Sequence, residues 1–131
     1  MTIRIALVDD NQNFVLSVRN HLETENGLKV VGQAFSGADA LRMISEMKPD
    51  VLLLDIAMPN MNGLEVARSL RTTDRPPAII FLTMHDNTSY RKAATGVGAA
   101  GFVSKSNVVA DLVPLIEQVA LERFGKIREP S

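Results

Sequence analysis

Three observations on this 131-residue sequence predict a doubly wound α/β sandwich, with five parallel strands in the order 2-1-3-4-5 and helices on both faces. Five short apolar runs punctuate it, most of them continuous instead of alternating, as strands covered on both faces are. Stretches with helical spacing separate the runs, so that strand and helix patterns alternate five times. Each gap between runs is long enough for the dozen or so residues of a parallel crossover, and right-handed crossovers then build a parallel sheet.

In chain order, the run Ile3 to Val8 is followed by Val15, Val18 and Leu22 at helical spacing. Leu28 to Ala34 is followed by Leu41, Ile44 and Met47. Ser36 with Asp39 resembles a capping pair at the start of that helix, and Pro49 closes it. Val51 to Leu54 comes next, then a turn at Pro59 to Gly63 and a helix carrying Leu64, Ala67 and Leu70. A loop at Asp74 to Pro77 leads into Ala78 to Leu82 and a helix with Tyr90, Ala93, Ala94 and Val97. The weak run Gly101 to Val103 precedes the last helix, marked by Leu112, Leu115, Ile116 and Val119. Pro114 interrupts that pattern, so the helix is expected either to begin late, with Asp111 as its N-cap, or to kink.

Length and composition narrow the function. A chain of 14.3 kDa is one domain's worth and buries enough surface to stand without staples. The 14 Lys+Arg against 15 Asp+Glu leave a net charge of -1, with no basic surplus to hold nucleic acid directly. Zero cysteines exclude disulfides and thiolate chemistry. No apolar run approaches the roughly 18 residues of a membrane span, and no signal peptide follows Met1, which predicts a cytoplasmic protein without a membrane partner.

In open α/β sheets, ligands bind beyond the carboxyl ends of the strands, where the strand order reverses. The residues that follow the runs are Asp9 and Asp10, Asp55, Thr83 and, after Ser104, Lys105. In the order 2-1-3-4-5, strands 1 and 3 are neighbours about 4.8 Å apart, which brings Asp55 beside Asp9 and Asp10. Like charges roughly 4 Å apart repel by about 4 kcal/mol per pair at an effective dielectric near 20, so the three carboxylates call for cations. Lys105 is one, and the all-oxygen donor set suits Mg²⁺ as the other. A carboxylate so placed can take up a phosphoryl group as an aspartyl phosphate, with Lys105 and the metal offsetting the charge and the Thr83 hydroxyl donating to a phosphoryl oxygen. Asp55 is the expected nucleophile because it directly ends the most apolar strand, whereas Asp9 and Asp10 form a pair suited to holding a metal.

Taken together, Leu7-Val8-Asp9-Asp10, Pro49 through Pro59, Met61-Asn62-Gly63, Leu82-Thr83 and Gly101-Phe102-Val103-Ser104-Lys105 resemble the receiver domain of bacterial two-component response regulators. The resemblance covers Ile3 to about Arg123, giving a receiver over residues 1–123 and a tail or linker stump over 124–131. It implies that Asp55 is phosphorylated from a sensor histidine kinase or phosphotransfer protein, and that Asp10, Asp55 and the backbone carbonyl of Ala57 bind Mg²⁺, with Asp9 acting through water. It further implies that Thr83 and Phe102 form a switch that alters the helix 4, strand 5, helix 5 face for an output domain or downstream protein. Val30 to Ala34 and Leu82 to Asp86 look most like receivers preceding a LuxR-type helix-turn-helix domain, which implies control of transcription. A homodimer is a further candidate assembly. Ser106, where the family often has proline, and Pro114 depart from the pattern on the output face.

Such a domain is a regulatory phosphoacceptor that assists only its own phosphorylation and dephosphorylation. The alternatives are an aspartyl-phosphate phosphatase or phosphotransferase, and a receiver-like interaction module that is never phosphorylated. Phosphatases of the haloacid dehalogenase type often carry a second Asp where this chain has Ala57, and the full set of site residues argues against the silent module. A flavodoxin-like phosphate cradle is disfavoured because Asp9-Asp10-Asn11 would repel phosphate. Ala57 and His85 are candidate modulators at the site's edge, and Met58, Met61 and Met84 are expected to crowd its rim. His21 is expected on a solvated helix face. Gly96, Gly98 and Gly101 spell GxGxxG, but a helix precedes and a strand follows, so they read as a helix stop and a tight turn. Asn87-Thr88-Ser89 matches a glycosylation sequon that has no meaning in a cytoplasmic protein.

Overall fold

The computed structural model describes residues 2–84 and 87–127. Its strands are β1 (Ile3–Val8), β2 (Leu28–Ala34), β3 (Val51–Asp55), β4 (Ala78–Thr83) and β5 (Gly101–Ser104). The helices are α1 (Gln12–Glu23), α2 (Gly37–Met47), α3 (Gly63–Leu70), α4 (Thr88–Gly96) and α5 (Val108–Phe124), the last preceded by a 3-10 turn at Lys105–Asn107. All strand pairs are parallel, in the order β2-β1-β3-β4-β5.

Alternation along each strand explains why the apolar runs are continuous. Ile3, Ile5 and Leu7 of β1, Val51 and Leu53 of β3, and Ile80 and Leu82 of β4 face a core completed by α1 and α5. Ala6 and Val8, Leu52 and Leu54, and Ile79 and Phe81 face the opposite core, under α2, α3 and α4. With both faces buried, the central strands carry no polar side chain between Arg4, at the second position of β1, and the residues that end the strands. The edge strand β2 is less covered, and its register slips by one residue against Ile5 and Ala6.

Local signals set the helix ends. Ser36 Oγ accepts from the Asp39 amide at 3.2 Å, half of the expected capping pair. The reciprocal box lies instead at α3, where the Asn62 side chain accepts from the Glu65 amide and Glu65 accepts in return from Asn62 N–H. Asn87, the first residue of the sequon, caps α4 by accepting from the Tyr90 amide at 2.8 Å. Gly96 ends α4 and Gly98 takes φ +79° in the turn before β5. Lys48 adopts a left-handed conformation between α2 and Pro49.

Of the two arrangements expected for the last helix, the late start at an Asp111 cap is not the one adopted. The helix begins at Val108, with Asn107 in the cap position making no side-chain bond, and Asp111 sits in its first turn. Pro114 is inside the helix, on its exposed side. The carbonyl of Ala110, which a proline four residues on cannot satisfy, belongs to an exposed residue where water can serve it.

At the opposite edge of the sheet from the acidic cluster, Asp50 is 3% exposed and accepts from the Arg4 amide at 2.9 Å and from Lys126 Nζ at 2.8 Å, with Arg75 at 3.5 Å. Lys126 lies beyond the left-handed Gly125 that ends α5, so this ion pair ties the chain after the helix to the start of β3. Removing one partner of a buried charge pair commonly costs about 3 kcal/mol or more. Asp50→Ala is therefore expected to lose about 3 kcal/mol in urea unfolding, and Lys126→Ala less, because Arg75 and the Arg4 amide still serve the carboxylate.

Candidate functional site

The register of the three central strands assembles the site. Val8 pairs with Leu54, and Leu54 with Phe81, so one residue further on Asp9 and Asp55 leave adjacent strands side by side. Asp9 is 2% exposed and Asp55 5%, while Asp10 is exposed. One carboxylate oxygen from each of Asp9, Asp10 and Asp55 lies within 4.8 Å of the others. The sequence pattern thus led to a true cluster, held together by the strand ends.

Lys105, the first residue after β5, reaches back across the sheet edge into the cluster. Its Nζ is 2.6 Å from Asp9 Oδ2 and 3.6 Å from Asp55 Oδ2, and its side chain is only 10% exposed. The ammonium therefore leans on Asp9 and only partly offsets Asp55. Asp55 Oδ1 accepts from the Ala57 amide at 3.2 Å, and Asp9 Oδ1 from the Asn11 amide at 2.9 Å.

Burial, and after it the Asp9 carboxylate, push the Asp55 pKa up to about 6, while Lys105 and the Ala57 amide pull the other way and Asp10 adds to the rise. A lone ammonium does not neutralise three carboxylates, and the remaining negative charge, on oxygen donors alone, fits a hard divalent cation.

Thr83 ends β4 and is 2% exposed. The pairings Phe81↔Phe102 and Thr83↔Ser104 put Thr83 and Phe102 on the same face of neighbouring strands, two residues out of step. Phe102 is half-buried against the core under α4, with the Arg91 guanidinium 4.8 Å from its ring centroid.

Some expectations did not hold. Met58 is buried in the core under α2 and α3, and Met61 packs half-buried against the same core; Met84 is exposed. Of the three methionines expected to crowd the rim, Met58 is thus a core residue and Met61 only packs against that core. His21 is half-buried, with Nε2 enclosed and unpartnered, and so does not lie on a solvated face. His85 lies outside the described residues.

Two residues gain a part in the site that the sequence did not assign them: Phe14 carried no functional signal, and Gly63 stood only within the Met61-Asn62-Gly63 motif. Phe14 of α1 stacks on Lys105, with Nζ 4.5 Å from the ring centroid. Gly63 packs so tightly under β3 that a Cβ there would stand 2.3 Å from the Asp55 carbonyl oxygen. Nothing in a helix-pattern aromatic reveals its neighbour on another element. A cavity of about 590 Å³ lined by Leu41, Ile44, Leu70 and Pro77 lies by the N-terminal ends of β3 and β4, away from the acidic cluster.

A doubly wound sheet with carboxylates at the ends of β1 and β3 and a lysine after β5 defines a phosphoacceptor class of signalling domain. The chain belongs to the response regulator receiver domain family, which matches residues 5–117. It is 33% identical over 117 residues to the response regulator GacA of Pseudomonas aeruginosa, covering 89% of this chain and 55% of that protein. It is 35% identical to the response regulator UvrY of Escherichia coli K12, covering 89% of this chain and 54% of the relative. The chain thus spans about half the length of the curated relatives it matches.

Among solved structures, a LuxR-family two-component response regulator from Aurantimonas sp. SI85-9A1 superposes with a TM-score of 0.88 at 34% identity, over 94% of this chain and 88% of that one. The signal receiver domain of NarL from Mycobacterium tuberculosis gives 0.78 at 33% identity, over 88% and 96%. The likeness to LuxR-type receivers read from the sequence is thus supported. No helix among the described residues is long and apolar enough to cross a membrane.

Proposed function

We propose that Asp55 is the phosphoacceptor of this receiver, with Asp10, Asp55 and the Ala57 carbonyl holding Mg²⁺ and Asp9 acting on it through water. The observation that carries the reading is the meeting of three carboxylates within 4.8 Å, with Lys105 Nζ between Asp9 and Asp55. A carboxylate oxygen of Asp55 attacks phosphorus; the new O–P bond forms as the P–N bond of a phosphohistidine breaks, and the departing imidazole nitrogen takes a proton from water. When bound, Mg²⁺ supplies positive charge to the transferring phosphoryl oxygens. Lys105 adds its ammonium, and the Thr83 hydroxyl donates to a phosphoryl oxygen.

The new charge draws Thr83 inward, and Phe102, on the same sheet face one strand away, follows into the space released. This biases the α4, β5, α5 face between two arrangements and transmits the signal. The partners are a sensor histidine kinase or phosphotransfer protein on one side and an output domain or downstream protein on the other. The LuxR-family likeness supports transcription as the regulated process. The domain acts in the cytoplasm as a regulatory acceptor, not as an enzyme on other substrates. It occupies residues 1–123, followed by a tail or linker whose first residues fold back through Lys126. Ala57 and His85 modulate access to the acceptor.

Incubation with acetyl phosphate and Mg²⁺ tests this by intact mass. One phosphoryl group should add, with acetate leaving as its P–O bond breaks, and a chelator should abolish the gain. Thr83→Ala should still accept the group but lose the phosphorylation-dependent amide shifts around Phe102. No gain with acetyl phosphate or a phosphorylated kinase would sink the reading.

A further inference from the structure

Lys105 is held from two sides. Asp9 Oδ2 lies 2.6 Å from its Nζ, and the Phe14 ring centroid lies 4.5 Å from the same atom. The two holders are joined through a short chain of hydrogen bonds. The Asn11 amide donates to Asp9 Oδ1 at 2.9 Å, and the Asn11 side chain, capping α1, accepts from the Phe14 amide at 3.1 Å. The start of α1 thus fixes carboxylate and ring relative to each other. The ring is half-buried against the core under α1 and α5, which steadies it further. A lysine has a flexible four-carbon stem and a strongly hydrated head, so its placement depends on what surrounds it. An aromatic face attracts an ammonium through its quadrupole, most strongly where water is excluded, and this side chain is only 10% exposed.

We propose that Phe14 is a positioning residue for phosphoryl transfer: its ring holds the Lys105 ammonium over the acidic cluster, between Asp9 and Asp55, and keeps water from its outer side. The inference rests on the role given to Lys105 above. Phe14 touches neither the acceptor nor the phosphoryl group and acts only through Lys105. An aliphatic side chain of similar bulk would fill the same space without attracting the ammonium, which would then be free to turn toward solvent.

The test is the rate of phosphorylation by acetyl phosphate with Mg²⁺, followed by intact mass on the full chain, for the wild type, Phe14→Leu, Phe14→Met, Phe14→Tyr, Lys105→Ala and the Phe14→Leu/Lys105→Ala double variant. Phe14→Leu and Phe14→Met should each slow the reaction about tenfold, the loss expected for a desolvated cation–π contact, while Phe14→Tyr retains the rate. Phe14→Leu should have no further effect once Lys105 is alanine, since the ring would then have nothing to hold. Thermal unfolding of each variant identifies any that fails to fold, and either aliphatic replacement suffices. Wild-type rates in both aliphatic variants alongside a slow Lys105→Ala would overturn the role of Phe14 and leave the site reading intact. An equal loss in the Lys105→Ala background would overturn it too, as a packing effect. A wild-type rate in Lys105→Ala would defeat the site reading itself.

Discussion

Asp55→Asn is expected to abolish phosphorylation and, in the absence of Mg²⁺, to make the domain more stable at pH 8 by about 2 kcal/mol. The first effect follows because an amide oxygen does not attack phosphorus as a carboxylate does. The second follows from proton linkage. Asp55 has its pKa raised from the ordinary 3.8 to about 6 in the folded chain, chiefly by burial and then by Asp9. Between those values the folded state holds a proton that the unfolded chain has released, so this carboxyl contributes stability that is fully present below about pH 4 and lost as pH rises through 6. The full linkage is at most about 3 kcal/mol, at 1.36 kcal/mol per unit, and relaxation around the site reduces it. Asparagine has no such proton to lose and leaves the 2.6 Å Asp9–Lys105 pair in place. Urea unfolding in chelator should show the variant's advantage growing from pH 4 to pH 8, and added Mg²⁺ should stabilise the wild type more than the variant. Identical pH profiles for the two proteins would contradict a destabilising charge at Asp55.

The sequence made the strand ends readable because both faces of this sheet are buried. In a strand such as Val51 to Leu54, the first polar residue is forced to the end, and the end is where the site lies. The strand order then follows from the crossover rules, and the order puts Asp9 and Asp55 together. Helix starts were less legible. A late start at an Asp111 cap, or a kink, was expected because Pro114 is costly inside a helix, yet α5 starts at Val108 and the exposed Ala110 carbonyl lowers that cost. Asn62 and Asn87 carried capping signals that were eclipsed by a turn and a sequon. The contact of Phe14 with Lys105 depends on how α1 and α5 pack on the same face of the sheet, which no spacing within either segment encodes. His21 illustrates the same limit: helical periodicity places it beside the buried stripe, and only packing decides whether its ring is covered.

Gly63→Ala is expected to damage the site without touching any of its side chains. Gly63 opens α3, and its amide donates to the Ile56 carbonyl at 3.1 Å, so the helix start is pinned directly beneath the end of β3. A Cβ at this position would lie 2.3 Å from the Asp55 carbonyl oxygen and 2.9 Å from the Ile56 Cα. Both obstacles are backbone, so relief requires either lifting α3 away from Val66, Ala67 and Leu70's buried contacts or shifting the peptide that follows Asp55. The first opens the core, and the second moves the Asp55 carboxylate and the Ala57 amide that bonds it. Overpacking of this kind typically costs about 1–3 kcal/mol. A displacement of about 1 Å at reacting groups can cost on the order of 100-fold in rate. Urea unfolding and the acetyl phosphate reaction should both register the change. Gly96→Ala supplies the comparison: it lies at the end of α4 with nothing within 4 Å of its would-be Cβ, so it should be neutral or stabilising by up to about 1 kcal/mol and leave phosphorylation unaltered. If Gly63→Ala matched Gly96→Ala in both measurements, the close approach of α3 to β3 would have no part in holding Asp55 in place.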